Sequence, residues 1–304
     1  MTKQASDVPL PKGIHRVWDL PDTRLGTLWS SIVMEQEAKD QLLAQAIINF
    51  SVRGKVDRSI IPMHGVILLV GPPGTGKTSL AKGLANSVAI AFKGAKVQLL
   101  EVEPHSLTSS AMGKTQRAVS DLFSQSIGEV AASGQPTIVL LDEVETLAAD
   151  RAKMSMEANP VDVHRATDAV LVQLDLLAEK HPNLLFVATS NFPQAVDSAF
   201  LSRCDLVMEV PLPGKDACRK ILEECLVGVA KTFSDVGGLV KQKRFDECAS
   251  ECEGLDGRAI RKVVANALAT NKTTAIDPNQ VTIEHLLAAI KKAKQVRLLK
   301  EKAK

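Results

Sequence analysis

The apolar run Val66-Ile67-Leu68-Leu69-Val70 leads directly into Gly71-Pro72-Pro73-Gly74-Thr75-Gly76-Lys77-Thr78, and a helical pattern follows from Lys77 to about Val88. Binding a polyphosphate requires these parts in this order. The glycines let successive backbone N–H groups turn inward on the phosphates, Lys77 supplies a point charge to the outer ones, and the Thr78 hydroxyl can reach Mg²⁺. The helix adds the partial positive charge of its N-terminus, and Ser79 lies in its first turn. A Gly-rich turn without a ligand is the plain alternative, and the strand, the Lys-Thr pair and the helix together speak against it.

A second apolar run, Ile138-Val139-Leu140-Leu141, ends in Asp142-Glu143. Carboxylates at the C-terminal end of a buried strand stand where open α/β sheets bind ligands. Asp142 is placed to hold Mg²⁺, and Glu143 to orient and deprotonate a water attacking a γ-phosphate. Alone, such a pair could equally cap the next helix. A third run, Leu184 to Ala188, ends in Thr189-Ser190-Asn191, so the Asn191 amide can come beside the same phosphate. Arg203 precedes a last strand, where an arginine can neutralise transition-state charge on an adjacent subunit's nucleotide, and Arg258 opens a later helix from which it could reach the phosphates. Taken singly, each of these three polar residues fits an ordinary hydrogen bond or surface ion pair.

The positioning elements follow from the pattern. Short apolar runs at 66–70, 97–102, 137–141, 184–188 and 206–210 alternate with helical stretches, which implies a parallel five-stranded sheet flanked by helices. Apolar residues at helical spacing from Leu28 to Val52 predict one amphipathic helix ahead of the first of these strands. Residues 1–27 carry Pro9, Pro11 and Pro21 and read as an extended lead. After Pro211-Leu212-Pro213-Gly214 the pattern is helical throughout, with Thr282 placed to cap the last helix, so the expected organisation is 1–27 lead, 28–211 large α/β domain and 212–304 small all-helical domain with a basic tail.

Composition narrows the function classes. A net charge of +2, 3% aromatic residues and no tyrosine give little support to a nucleic-acid surface. The basic stretch from Lys291 to Lys304 fits a solvated helix better than a nucleic-acid patch. The five cysteines include no C-x-x-C pair and no apolar leader precedes them, so a cytoplasmic setting is expected and the cysteines read as packing residues. No apolar run approaches the roughly 20 residues a membrane-spanning helix needs, so no membrane association is expected.

With GPPGTGKTSL from Gly71, LDEVETL from Leu141, ATSN from Ala188, the stretches from Asn159 and Asp168, and GLDGR from Gly254, the chain resembles the AAA+ ATPases. Within them it resembles the family of pachytene checkpoint protein 2 and thyroid receptor-interacting protein 13, over nearly everything from Leu28 to about Thr270. The resemblance implies an AAA+ P-loop domain with a helical lid, using ATP and Mg²⁺. It assigns Gly71 to Ser79 to nucleotide binding, Lys77 and Thr78 to Walker A, and Asp142 and Glu143 to Walker B. It makes Asn191 sensor 1, Arg203 the trans finger and Arg258 sensor 2, and puts Ile32 and Val33 at the adenine. The family forms hexameric rings that partly unfold HORMA-domain proteins in a chaperone-like reaction.

Ser110-Ala111-Met112-Gly113-Lys114 stands at the place of the first pore loop, with Ala111 where relatives have an aromatic, which leaves Met112 as the large apolar grip. Arg151 to Asn159 is either the second pore loop or a plain surface loop. Eukaryotic relatives carry a folded docking domain ahead of the ATPase core, and this chain resembles the short prokaryotic members, which act on the complex of a HORMA protein with a CD-NTase, a cyclic-oligonucleotide synthase, in antiviral defence. The rival readings are a clamp- or helicase-loader type ATPase acting on DNA, a small-molecule kinase, and an inactive scaffold. Neither charge nor aromatic content favours the first, the second leaves Asn191 and Arg203 unexplained, and Lys77, Asp142 and Glu143 argue against the third.

Overall fold

A computed structural model of the chain describes residues 10–102, 114–150 and 160–302. The chain divides into two compact units. The first runs to Ile32 and takes in Gln36–Val70 and Lys77–Glu209; the second takes in Val33–Glu35, Gly71–Gly76 and the chain from Val210.

The first unit holds a sheet of strands β1 (Ile14–Leu20), β2 (Val66–Val70), β3 (Val97–Val102), β4 (Thr137–Leu141), β5 (Leu184–Ser190) and β6 (Leu206–Glu209), in the order β1-β3-β4-β5-β2-β6. Its helices are α1 (Thr23–Ser31), α2 (Gln36–Ser51), α3 (Lys77–Ala91), α4 (Lys114–Asp121), α5 (Gly128–Ala132), α6 (Pro160–Lys180) and α7 (Ser198–Leu201). The five parallel strands expected from the apolar runs are all present, and every residue of β2, β4 and β5 is buried. Unbroken apolar composition is what a strand covered on both faces requires.

The sheet also has a sixth strand. Ile14–Leu20, inside the stretch read as an extended lead, pairs antiparallel with β3, from Ile14 opposite Val102 to Leu20 opposite Val97. Only its two end residues are fully buried, so it shows no apolar run. Trp18 Nε1 donates to Glu101 Oε1, and Lys82 Nζ donates to Glu101 Oε2 at 2.8 Å, which ties this edge to α3.

The single helix expected over 28–52 is two helices. Asp22 caps α1 by accepting from the Arg24 N–H, and the chain turns extended at Ile32 (φ −86°, ψ 115°) before α2 begins. The β-branched pair Ile32-Val33 suits that break, since both side chains are stiff at χ1 and favour extended backbone. α1 lies hard against α3 because residue 83 is glycine: a Cβ there would come within 2.6 Å of the Trp29 backbone nitrogen.

The entry to β2 is fixed by charge. Asp205 accepts from the His64 N–H at 2.9 Å, the Gly65 N–H at 2.6 Å and the Val66 N–H at 3.2 Å. Buried Arg53 donates to the carbonyls of His64, His181 and Leu184, and burial pushes its guanidinium down to about 10.

The second unit is helical: α8 (Lys215–Ala230), α9 (Phe245–Glu251), α10 (Gly257–Leu268), α11 (Lys272–Ile276) and α12 (Ile283–Lys302). They close on a core that includes Cys218, Leu222, Phe245, Cys252, Val263 and Leu286, all fully buried, with Val33 packed against it. At the start of α12 the cap is reciprocal to the one expected: His285 Nδ1 accepts from the Thr282 N–H at 3.2 Å.

Candidate functional site

Strand order decides which side chains meet. β5 lies between β4 and β2, so the residues that end it stand between the residue that opens α3 and the acidic pair that follows β4. Asn191 makes the connection: its Oδ1 accepts from Lys77 Nζ at 2.8 Å, and its Nδ2 donates to Glu143 Oε1 at 3.0 Å. Lys77 is 5% exposed, so its ammonium is held among partners rather than in bulk water.

Asp142 Oδ1 accepts from two hydroxyls, Thr78 at 2.8 Å and Thr189 at 2.5 Å. Thr189 Oγ1 in turn accepts from the Glu143 N–H at 3.1 Å. This one hydroxyl therefore holds the side chain of Asp142 and the backbone of Glu143 together. Glu143 has φ 52° and ψ 56°, and among the described residues no other non-glycine has positive φ. Left-handed backbone at a large side chain costs about 1–2 kcal/mol and is maintained only where the surroundings fix it. Asn191 is further held by its backbone N–H, which donates to Glu145 Oε1 at 3.1 Å, while Glu145 Oε2 is buried without a hydrogen-bond partner.

The loop Gly71–Gly76 joins the end of β2 to Lys77 and has the conformation a phosphate cradle needs. Gly71, Gly74 and Gly76 have φ of 148°, 83° and 96°. A Cβ on Gly71 would meet the Val210 carbonyl oxygen at 2.3 Å, and one on Gly74 would meet Asp256 Oδ1 at 2.2 Å. Thr75 Oγ1 donates to the Pro72 carbonyl at 3.0 Å, while Pro73 is exposed. In the same unit the Arg258 N–H donates to the Gly74 carbonyl at 3.3 Å, and Arg258, Lys262 and Lys292 line a cavity of about 420 Å³ with Pro73, Gly74 and Asp256.

These residues fit Mg²⁺ and ATP. Lys77 and the start of α3 supply positive charge for phosphates, and the Thr78 hydroxyl and Asp142, 2.8 Å apart, are oxygen groups of the kind Mg²⁺ takes. No cluster of three or more His, Cys, Asp or Glu able to hold a metal occurs among the described residues. Ser79 is half-buried on the first turn of α3; Ile32 and Val33 lie in the extended break after α1. Ala111, Met112 and Gly113, and the 151–159 segment, lie outside the described residues.

Arg203 does not join the Lys77 cluster. Its Nε donates to Asp175 Oδ1 at 2.9 Å, its Nη2 to Asp175 Oδ2 at 2.7 Å, and its Nη1 to the Ala199 carbonyl at 2.8 Å. Two residues of this geometry, Thr189 and Asp175, were not singled out by sequence. Thr189 stood in the ATSN motif and Asp175 in the stretch from Asp168, both part of the resemblance without a role of their own.

Strand order, cradle and acidic pair define a P-loop nucleotide-binding domain, and residues 67–212 match the model of the ATPase family associated with various cellular activities (AAA). The chain is 74% identical over 299 residues to CD-NTase-associated protein 6 of Pseudomonas aeruginosa, covering 98% of both chains. It is 34% identical over 279 residues to the Arabidopsis thaliana pachytene checkpoint protein 2 homolog, covering 81% of this chain and 59% of that protein. Among solved structures, C. elegans PCH-2 superposes with a TM-score of 0.74 at 28% identity, covering 97% of this chain and 77% of that one. A chain of the E. coli MS115-1 HORMA:CdnC:Trip13 complex has a TM-score of 0.73 at 18% identity, over 93% of this chain and 97% of that one, and shares the fold. The chain belongs to the AAA ATPases, in the family that holds CD-NTase-associated protein 6 and the pachytene checkpoint protein 2 homologs.

Proposed function

We propose that this chain is a Mg²⁺-dependent ATP hydrolase that works as a hexameric ring in the cytoplasm and partly unfolds a HORMA-domain protein, releasing it from a CD-NTase and so restraining antiviral signalling. The observation that carries the catalytic part is Asn191 bound to Lys77 on one side and Glu143 on the other. The client is supported by the name of the Pseudomonas aeruginosa relative and by the components of the E. coli complex that shares the fold. Among the described residues no helix is long and apolar enough to cross a membrane.

In this reading Lys77 and the loop N–H groups bind the phosphates, and Thr78 and Asp142 hold the metal. Bound Mg²⁺ supplies charge neutralisation across the outer phosphates. Glu143 takes the proton of the attacking water, with Asn191 fixing the carboxylate, and Asn191 in turn reads the phosphate end through Lys77. Arg203 is offered to the neighbouring subunit's nucleotide, and Arg258 acts from the helical unit, with Ile32 and Val33 at the base. Hydrolysis is assigned to residues 28–211 and the lid role to 212–304, and Met112 grips the threaded client.

ATP turnover should be measured alone, with duplex DNA, and with a purified HORMA–CD-NTase complex, following that complex by size exclusion. Disassembly that requires ATP and stimulated turnover are expected with the complex alone. Stimulation by DNA with the complex left intact would favour a loader on DNA instead.

A further inference from the structure

A guanidinium has five N–H groups. On Arg203, Asp175 takes one from Nε and one from Nη2, and the Ala199 carbonyl takes one from Nη1, which leaves one N–H on each terminal nitrogen. The carboxylate comes from α6 and the carbonyl from α7, so two separate elements fix the plane of the fork. Arg203 remains 23% exposed and Asp175 41% exposed at the side chain, so the pair stands at the surface. Val172 and Leu176 flank Asp175 on α6 and are 55% and 53% exposed, an apolar border of the kind a packed neighbour covers. His64 Nε2 lies 3.8 Å from Asp175 Oδ1, and burial pushes that imidazole below its ordinary value. The hydrogen bonds from Arg203 are the main cause that holds the Asp175 carboxyl below its ordinary value.

We propose that Asp175 is the positioning residue for Arg203, holding the guanidinium so that its two remaining N–H groups face outward to a phosphate bound on an adjacent copy of this chain. This deepens the trans-finger reading and rests on it. Bidentate pairing along one edge of a guanidinium leaves the opposite donors in a fixed plane, which a lone arginine on a flexible stem does not offer. Lysine at 203 could not satisfy both partners and still present two parallel donors.

The test uses full-length Asp175→Ala, Arg203→Ala and Lys77→Ala proteins, alone and in mixtures under conditions where subunits exchange. Asp175→Ala should lose turnover about tenfold or more while keeping parental nucleotide affinity, and adding it to Arg203→Ala should cost nothing further. Mixed with Lys77→Ala subunits, which contribute an intact Arg203, it should regain hydrolysis; mixed with Arg203→Ala subunits it should regain none. A merely structural defect would not sort by partner in this way. Asp175→Asn, which keeps one acceptor and the side chain's size, should fall between parent and Asp175→Ala, and gives the same readout if the alanine variant folds poorly. Parental or faster turnover in the folded aspartate variants, with Arg203→Ala restored by Lys77→Ala as expected, would overturn the role of Asp175 alone. Failure of Arg203→Ala to recover with Lys77→Ala would overturn the finger itself and this proposal with it.

Discussion

Asn191 Nδ2 donates to Glu143 Oε1 at 3.0 Å, which joins the end of β5 directly to the residue that follows Asp142. The orientation of that amide is not arbitrary. Lys77 can only donate and takes the oxygen, so the nitrogen must face the carboxylate. One side chain thus registers both the charge that binds phosphate and the base that acts on water.

Asn191→Asp tests this connection at constant size. The aspartate can still accept from Lys77 but cannot donate to Glu143, and it sets two carboxylates side by side. Turnover should fall about 100-fold, within the range expected when a positioned acid–base group is disturbed, while nucleotide affinity stays close to parental. Parental turnover measured at saturating ATP would show that the amide is dispensable.

Thr189→Val removes the hydroxyl that binds Asp142 and Glu143 together. The isosteric change removes the acceptor of the part-buried Glu143 N–H, at a cost of up to about 1–3 kcal/mol. A drop of several degrees in thermal midpoint should accompany a loss of turnover of at least about tenfold. Unaltered stability in denaturant titration would mean that the N–H finds another partner.

How much of this could be read from the chain depended on distance along it. The cradle, Lys77 and Thr78 are contiguous, and Asp142-Glu143 and Asn191 follow close on apolar runs, so local pattern could mark them as candidates. β1 was not legible as a strand because an antiparallel edge strand buried only at its ends has no apolar run, and Arg16 and Asp19 interrupt it. The split into α1 and α2 was missed because two amphipathic helices in succession continue one another's periodicity. Thr189 lies 47 residues from Asp142, and Arg203 lies 28 from Asp175; such partners are decided by strand order and helix placement, which spacing does not specify.

Alkaline pH should destabilise the protein through its thiols. Burial raises Cys204 and Cys252 to about 12 and Cys218 and Cys248 to about 11, against 9.0 unperturbed. Folded values above the unfolded one mean that the stabilisation is complete below pH 9 and is lost as pH rises through the folded values. Each thiol adds a slope of at most about 1.4 kcal/mol per pH unit. The thermal midpoint should decline steadily above about pH 9, and less steeply in Cys252→Ala; equal slopes would place that thiol in contact with water.

The left-handed backbone at Glu143 sets the demands of catalysis against those of folding at a single position. Alanine ordinarily outranks glycine in a folded chain, because it restricts the unfolded state more. At position 143 the order should reverse, with Glu143→Gly more stable than Glu143→Ala by roughly 1 kcal/mol in urea unfolding and both inactive. A survey of substitutions scored for abundance would then rank glycine highly at this position, while the same survey scored for turnover would retain only glutamate. The carboxylate is the residue selection for stability alone would discard.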